Sequence, residues 1–103
     1  MITLMFRAKM KAGKEDEALA KMLNMAESVQ ANEPGALVYA FHRLQDDPSE
    51  IVFWEAYADD AAFKNHMATP HMGAMRAAFG ELFDTTSVKL ERLDRVAGFV
   101  RAR

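Results

Sequence analysis

Between Ile2 and Met10 the chain alternates: Ile2, Leu4, Phe6, Ala8 and Met10 share one side, and Thr3, Met5, Arg7 and Lys9 the other. That period predicts a strand with one apolar face. Gly13 ends it, and Glu15, Asp16 and Glu17 follow, where carboxylates suit the positive end of a helix dipole. Leu19, Met22, Leu23, Ala26 and Val29 then recur at helical spacing, until "NEPG" (32–35) stops the helix. A second strand is expected over Ala36 to Leu44, a turn in "QDDPSE" (45–50), and a third strand over Ile51 to Tyr57. The short polar connection makes this pair a hairpin. Asp59 and Asp60 open a helix running to about Ala68. Thr69 as N-cap and Pro70 as first helical residue then start another, running to about Phe83. "TSVKLERL" (86–93) reads as a last strand, and the tail 94–103, with no clear period, is compatible with a frayed helix.

The order β-α-β-β-α(α)-β is the ferredoxin-like split arrangement of the α+β class, with an antiparallel sheet and its helices on one face. At 103 residues the chain fits one domain, spanning 1–103. The hairpin strands do not fit a lone sheet with one wet face. Ile51, Phe53 and Tyr57 oppose Val52, Trp54 and Ala56, while Leu37, Tyr39 and Phe41 oppose Val38, Ala40 and Leu44. Strands apolar on both faces are buried on both. A second copy of the sheet is the simplest cover, so a homodimer is expected; a patch for a different partner is the alternative.

Composition narrows the chemistry. Half the residues are apolar and 27% charged, with a net charge of −2 and no basic stripe, which argues against a nucleic-acid partner. The absence of cysteine removes disulfides and thiol chemistry and fits a reducing cytoplasm. No leader-like start and no apolar run near 18 residues are present, so no membrane partner and a cytoplasmic location are expected. Eight methionines could adapt to an irregular ligand, although core filling is the plainer reading.

"HMATPHM" (66–72) is the stretch with candidate chemistry. His66 and His71 would sit about 140° apart on a continuous helix, and Pro70 breaks that helix. With no cysteine and nothing to hold His42 nearby, no metal site is expected. His71 belongs to the first turn of the new helix, at the surface. His66 falls one turn after Ala62 and Phe63 on the inward side, and Glu55 points inward beside Phe53 and Tyr57. A buried carboxylate needs a partner, and an inward histidine is a natural one. The pair could be a satisfied piece of core or a proton-transfer unit working near neutral pH.

The segment 33–72 carries E-x-G-x-x-x-Y, then D-D-P, then E-x-Y, then A-x-x-x-H-x-x-T-P-H. In this it resembles the antibiotic biosynthesis monooxygenase family, and its H-x-x-T-P-H resembles the quinol-monooxygenase-like branch. The resemblance implies a ferredoxin-like subunit pairing sheet to sheet into a dimeric α+β barrel, with a ligand pocket between sheet and helices. It implies cofactor-free oxygenation of an electron-rich substrate, with molecular oxygen as co-substrate. The haem-degrading branch fits poorly. Approximate matching puts Phe6 at its strand-one asparagine and Tyr57 at its strand-three tryptophan, and no histidine follows His71 on the later helix.

The expectation is a homodimeric, cofactor-independent monooxygenase for a small phenolic or quinol substrate. His66 would take the hydroxyl proton with Glu55 orienting it, and Phe6, Phe53, Tyr57, Met67, His71, Met75 and Phe79 would contact the substrate. The alternatives are an isomerase or other proton-transfer enzyme on a small oxygenated metabolite, or a non-catalytic small-molecule-binding dimer.

Overall fold

The computed structural model describes residues 1–101. Strand β1 spans Ile2–Met10, helix α1 Glu15–Asn32, β2 Ala36–Leu44, β3 Asp47–Tyr57, α2 Asp60–Ala68, α3 Pro70–Leu82 and β4 Phe83–Leu93. The four strands form one sheet in the order β2-β3-β1-β4. Every neighbouring pair is antiparallel. The order and the sheet are those expected from the residue pattern.

The boundaries differ in two places. β3 begins at Asp47 rather than Ile51, leaving Gln45 and Asp46 as the turn. The pairing slips between Arg43↔Ile51 and Leu44↔Asp47, so Pro48 lies in an irregular stretch where the ladder does not need its missing N–H. β4 begins at Phe83 rather than residue 86, because α3 passes into extended backbone at Phe83 without a loop. The tail is no frayed helix: residues 94–101 carry no helical structure, and residues 102–103 lie outside the described residues.

Helix α1 turns Ala18, Met22, Met25 and Val29 onto the sheet. They meet Ala8, Met10, Ile51 and Phe53 from the strands and Met75, Leu82 and Phe83 beyond them. This i, i+4, i+7, i+11 stripe corrects the expected one, since Leu23 points outward and is 55% exposed. Three buried methionines in or beside α1's contact surface, Met22, Met25 and Met75, are core.

The strand register sorts the sheet residues by face. Leu4, Phe6 and Ala8 stand in line with Glu55, Phe53 and Ile51 beneath the helices. Met5 pairs with Trp54, and Trp54 with Ala40, on the opposite face. Val52 and Val38 share that outer face, where no helix among the described residues packs and where Val38, Val52 and Trp54 all stay partly exposed. Among the described residues no helix is long and apolar enough to cross a membrane.

Candidate active site

The site is assembled where α1 ends. Glu33 caps that helix, its backbone N–H donating to Val29 and its carbonyl accepting from Ala36 at 3.0 Å. The turn that follows lies tight against α2. A Cβ on Gly35 would fall 2.6 Å from Cβ of Ala62, so only glycine allows this approach. The carbonyl of Gly35 also accepts from Ala58 N–H at 2.9 Å, just before α2. Asp59 caps α2 by accepting from Ala62 N–H. The last turn of α2 then holds His66, 2% exposed, over the end of α1.

Thr69 closes one helix and opens the next. Its hydroxyl donates to the carbonyl of His66 at 2.8 Å and accepts from Met72 N–H at 3.2 Å. Pro70 follows at the start of α3. This break turns the chain so that His71 faces back toward His66. The divergence expected of an i, i+5 pair is therefore corrected: both histidines converge on Glu33. His66 Nδ1 lies 2.9 Å from Glu33 Oε1, and His71 Nε2 lies 2.5 Å from Glu33 Oε2.

A carboxylate only accepts, so each ring nitrogen that faces Glu33 carries a hydrogen. For neutral His66 this leaves the lone pair on Nε2, on the opposite side of the ring. That nitrogen points toward Glu55, whose Oε1 is 3.9 Å away. Glu55 is thus beside His66 but beyond hydrogen-bond reach, and the carboxylate that orients the ring is Glu33. Glu55 is held instead by the Tyr57 hydroxyl, which donates to Oε1 at 2.6 Å.

Burial raises the Glu55 carboxyl above its ordinary range, against the lowering influence of the Tyr57 hydrogen bond and of His66. Burial, then the Glu55 charge, pushes the Tyr57 and Tyr39 hydroxyls up as well, so both stay protonated as donors. The two tyrosine rings flank His66, with centroids 5.1 and 5.7 Å from its own.

A cavity of about 190 Å³ opens between the sheet and the helices, with Glu55 and His66 in its wall. Phe6, Phe53, Met67, Met75 and Phe79 line it, joined by Leu4, Tyr39, Phe63, Met72, Phe83 and Leu90. Two residues expected in that wall are elsewhere. Tyr57 is fully buried behind Glu55, and His71 faces a separate cleft of about 100 Å³ between α1 and α3. Among the described residues no lysine or arginine lines the main cavity. Its ionisable lining groups among the described residues are Glu55, His66 and Tyr39, which lie near one another.

Glu33 is the functional candidate that the sequence reading left out. It stands beside a proline and a glycine, so it reads as part of a polar helix stop. Its place in the E-x-G of the quoted motif was the available signal. Glu33, His66 and His71 each offer one ligand atom, all within 4.8 Å of one another, so a metal-capable set exists where divergence had argued against one.

The antibiotic biosynthesis monooxygenase description matches residues 1–78, and the chain belongs to that family. A Caulobacter crescentus CB15 protein, named as a candidate antibiotic biosynthesis monooxygenase, is 32% identical with a TM-score of 0.85, the alignment covering 93% of this chain and 90% of that one. A Bacteroides thetaiotaomicron VPI-5482 protein with the same kind of name superposes with a TM-score of 0.88 at 22% identity, covering 99% and 95% of the two chains. A Pseudomonas aeruginosa protein gives 0.83 at 24% identity, covering 93% and 94%. These last two likenesses concern the fold. No curated protein sequence matches the chain. The family membership and the Caulobacter relative support a monooxygenase-like function.

Proposed function

We propose that the protein is a cofactor-independent monooxygenase for a small phenol or quinol. One observation carries this reading: Nδ1 of His66 is tied to buried Glu33 while Nε2 faces a largely apolar cavity. A substrate hydroxyl at that end gives its proton to Nε2, the O–H bond breaking as an N–H bond forms. The phenolate left behind is a far better electron donor to oxygen than the phenol. Exclusion of water by the phenylalanine and methionine wall keeps that charge from being quenched. In the whole reaction one oxygen atom enters the substrate and the other leaves as water with two substrate hydrogens, so the substrate supplies the electrons.

In this reading Glu33 takes the orienting role first given to Glu55. Glu55, held by Tyr57, lies beside the proton-accepting nitrogen and favours the imidazolium once it forms. The working unit is a homodimer joined through the outer sheet face around Trp54.

An isomerase or other proton-transfer enzyme would use the same histidine. The aromatic lining, with no lysine or arginine in it among the described residues, argues against a phosphorylated substrate for it. Oxygen uptake over a panel of hydroquinones and hydroxylated polycyclic aromatics tests the proposal. Uptake with at least one member is expected. Turnover that proceeds equally without oxygen would favour proton transfer alone, and binding without turnover would favour a non-catalytic role.

A further inference from the structure

Two imidazoles and a carboxylate make a donor set well suited to divalent first-row metals. In Glu33, His66 and His71 those donors come from the end of α1, the end of α2 and the first turn of α3, and they meet at one place. Glu33 and His66 are buried, whereas the His71 side chain keeps 17% exposure. His71 also lines the α1–α3 cleft together with Lys21, Asn24 and Ser28. An ion can therefore reach the three donors from that cleft without crossing the apolar cavity.

The separations of 2.5 and 2.9 Å are those of hydrogen bonds. Two ligands on one tetrahedral zinc, each bonded at about 2.0–2.1 Å, stand about 3.3 Å apart. Entry of an ion thus requires the donors to part by less than about 1 Å and the two N–H hydrogens facing Glu33 to leave. His71, at the partly exposed start of α3, is the donor free to make that adjustment.

We propose that Glu33, His66 and His71 form a binding site for a divalent transition-metal ion such as Zn²⁺, and that its occupancy disables His66. The ion takes the Nδ1 lone pair of His66. The one hydrogen of the neutral ring must then sit on Nε2, which turns the cavity-facing nitrogen from an acceptor into a donor. No electrons move: on each neutral ring the N–H bond facing Glu33 breaks and one forms on the opposite nitrogen, while two N–metal bonds and one O–metal bond form. Binding stands on its own geometry, while its effect on turnover rests on the proposed role of His66.

The test is calorimetric titration of the purified, metal-stripped protein with zinc chloride, alongside ¹⁵N NMR of the imidazole nitrogens. One Zn²⁺ per chain is expected, with the hydrogen of the neutral His66 ring moved from Nδ1 to Nε2. His71→Ala should weaken binding by more than the roughly 10- to 100-fold that loss of an outer partner costs a metal site. Glu33→Gln, checked for folding by circular dichroism, should do the same, and His42→Gln should bind zinc as the wild type does. Absence of saturable binding, equal affinity in His71→Ala, or loss of binding in His42→Gln would overturn the site. Zinc binding that leaves Nε2 unprotonated would overturn the switch. Stoichiometric binding by a protein that consumes no oxygen with any phenol would uphold the site while removing the monooxygenase reading.

Discussion

Glu33 Oε1 lies 2.9 Å from His66 Nδ1, although 33 positions separate the two residues in the chain. The contact decides which nitrogen of His66 is left to act in the cavity. Glu33→Gln keeps the size of the side chain but presents an amide, whose NH₂ group favours the opposite tautomer at whichever ring it faces. A fall in kcat of up to about 10⁴-fold is expected, the scale seen when a triad loses the carboxylate that fixes its histidine. KM should change little, because Glu33 does not line the cavity. Steady-state kinetics of the two proteins would check the split.

The approach of α2 to the end of α1 depends on Gly35. Gly35→Ala drives a methyl group to 2.6 Å from Cβ of Ala62, and overpacking of this kind costs about 1–3 kcal/mol. Adding Ala62→Gly removes the clashing atom and should recover part of the loss, less about 1 kcal/mol for glycine within a helix. Denaturant titration of the single and double variants measures both.

Glu55→Gln should stabilise the protein while impairing its chemistry. The folded-state pKa of Glu55 is raised by burial, so the folded protein binds this proton more tightly than the unfolded chain does. Stability from this group is therefore greatest below the unfolded value of about 4.3 and falls as pH rises through the folded value. Glutamine does not titrate and still accepts from Tyr57. The variant's advantage in Tm should grow across that window and then level off. Thermal melts at a series of pH values would show it, and an advantage that shrinks with rising pH would mean that ionised Glu55 stabilises the fold.

The element order was readable because most elements carry one strong signal: alternation for β1, Thr69-Pro70 for α3, the acidic run for α1. The misplaced starts of β3 and β4 have a common cause. Asp47-Pro48 and Asp84-Thr85 look like turn residues, yet pairing with neighbouring strands overrides local preference at both. The two-faced strands were visible as apolar residues at adjacent positions. The site was half visible. Periodicity placed His66 and Glu55 on inward sides, but the reach of Glu33 depends on a glycine contact between two elements. His71 was misjudged because the angle between i and i+5 applies only to a continuous helix.

Trp54 stands on the sheet face that the chain's own helices leave open, flanked by Met5 and Ala40 across the strands. If a second copy covers it, Trp54→Glu places a charge inside that layer at a cost of several kcal/mol. Light scattering should give a dimer for the wild type and a monomer, or a strongly weakened dimer, for the variant. A stable wild-type monomer would contradict the dimer.

Oxygen consumption by wild type and His66→Ala with the best substrate of the phenol and hydroquinone panel tests the central claim most directly. The account predicts a rate lower by roughly 10²- to 10⁴-fold for His66→Ala, the usual scale for a lost general base, in a variant that still folds and binds the substrate. Equal rates in the two proteins would contradict it.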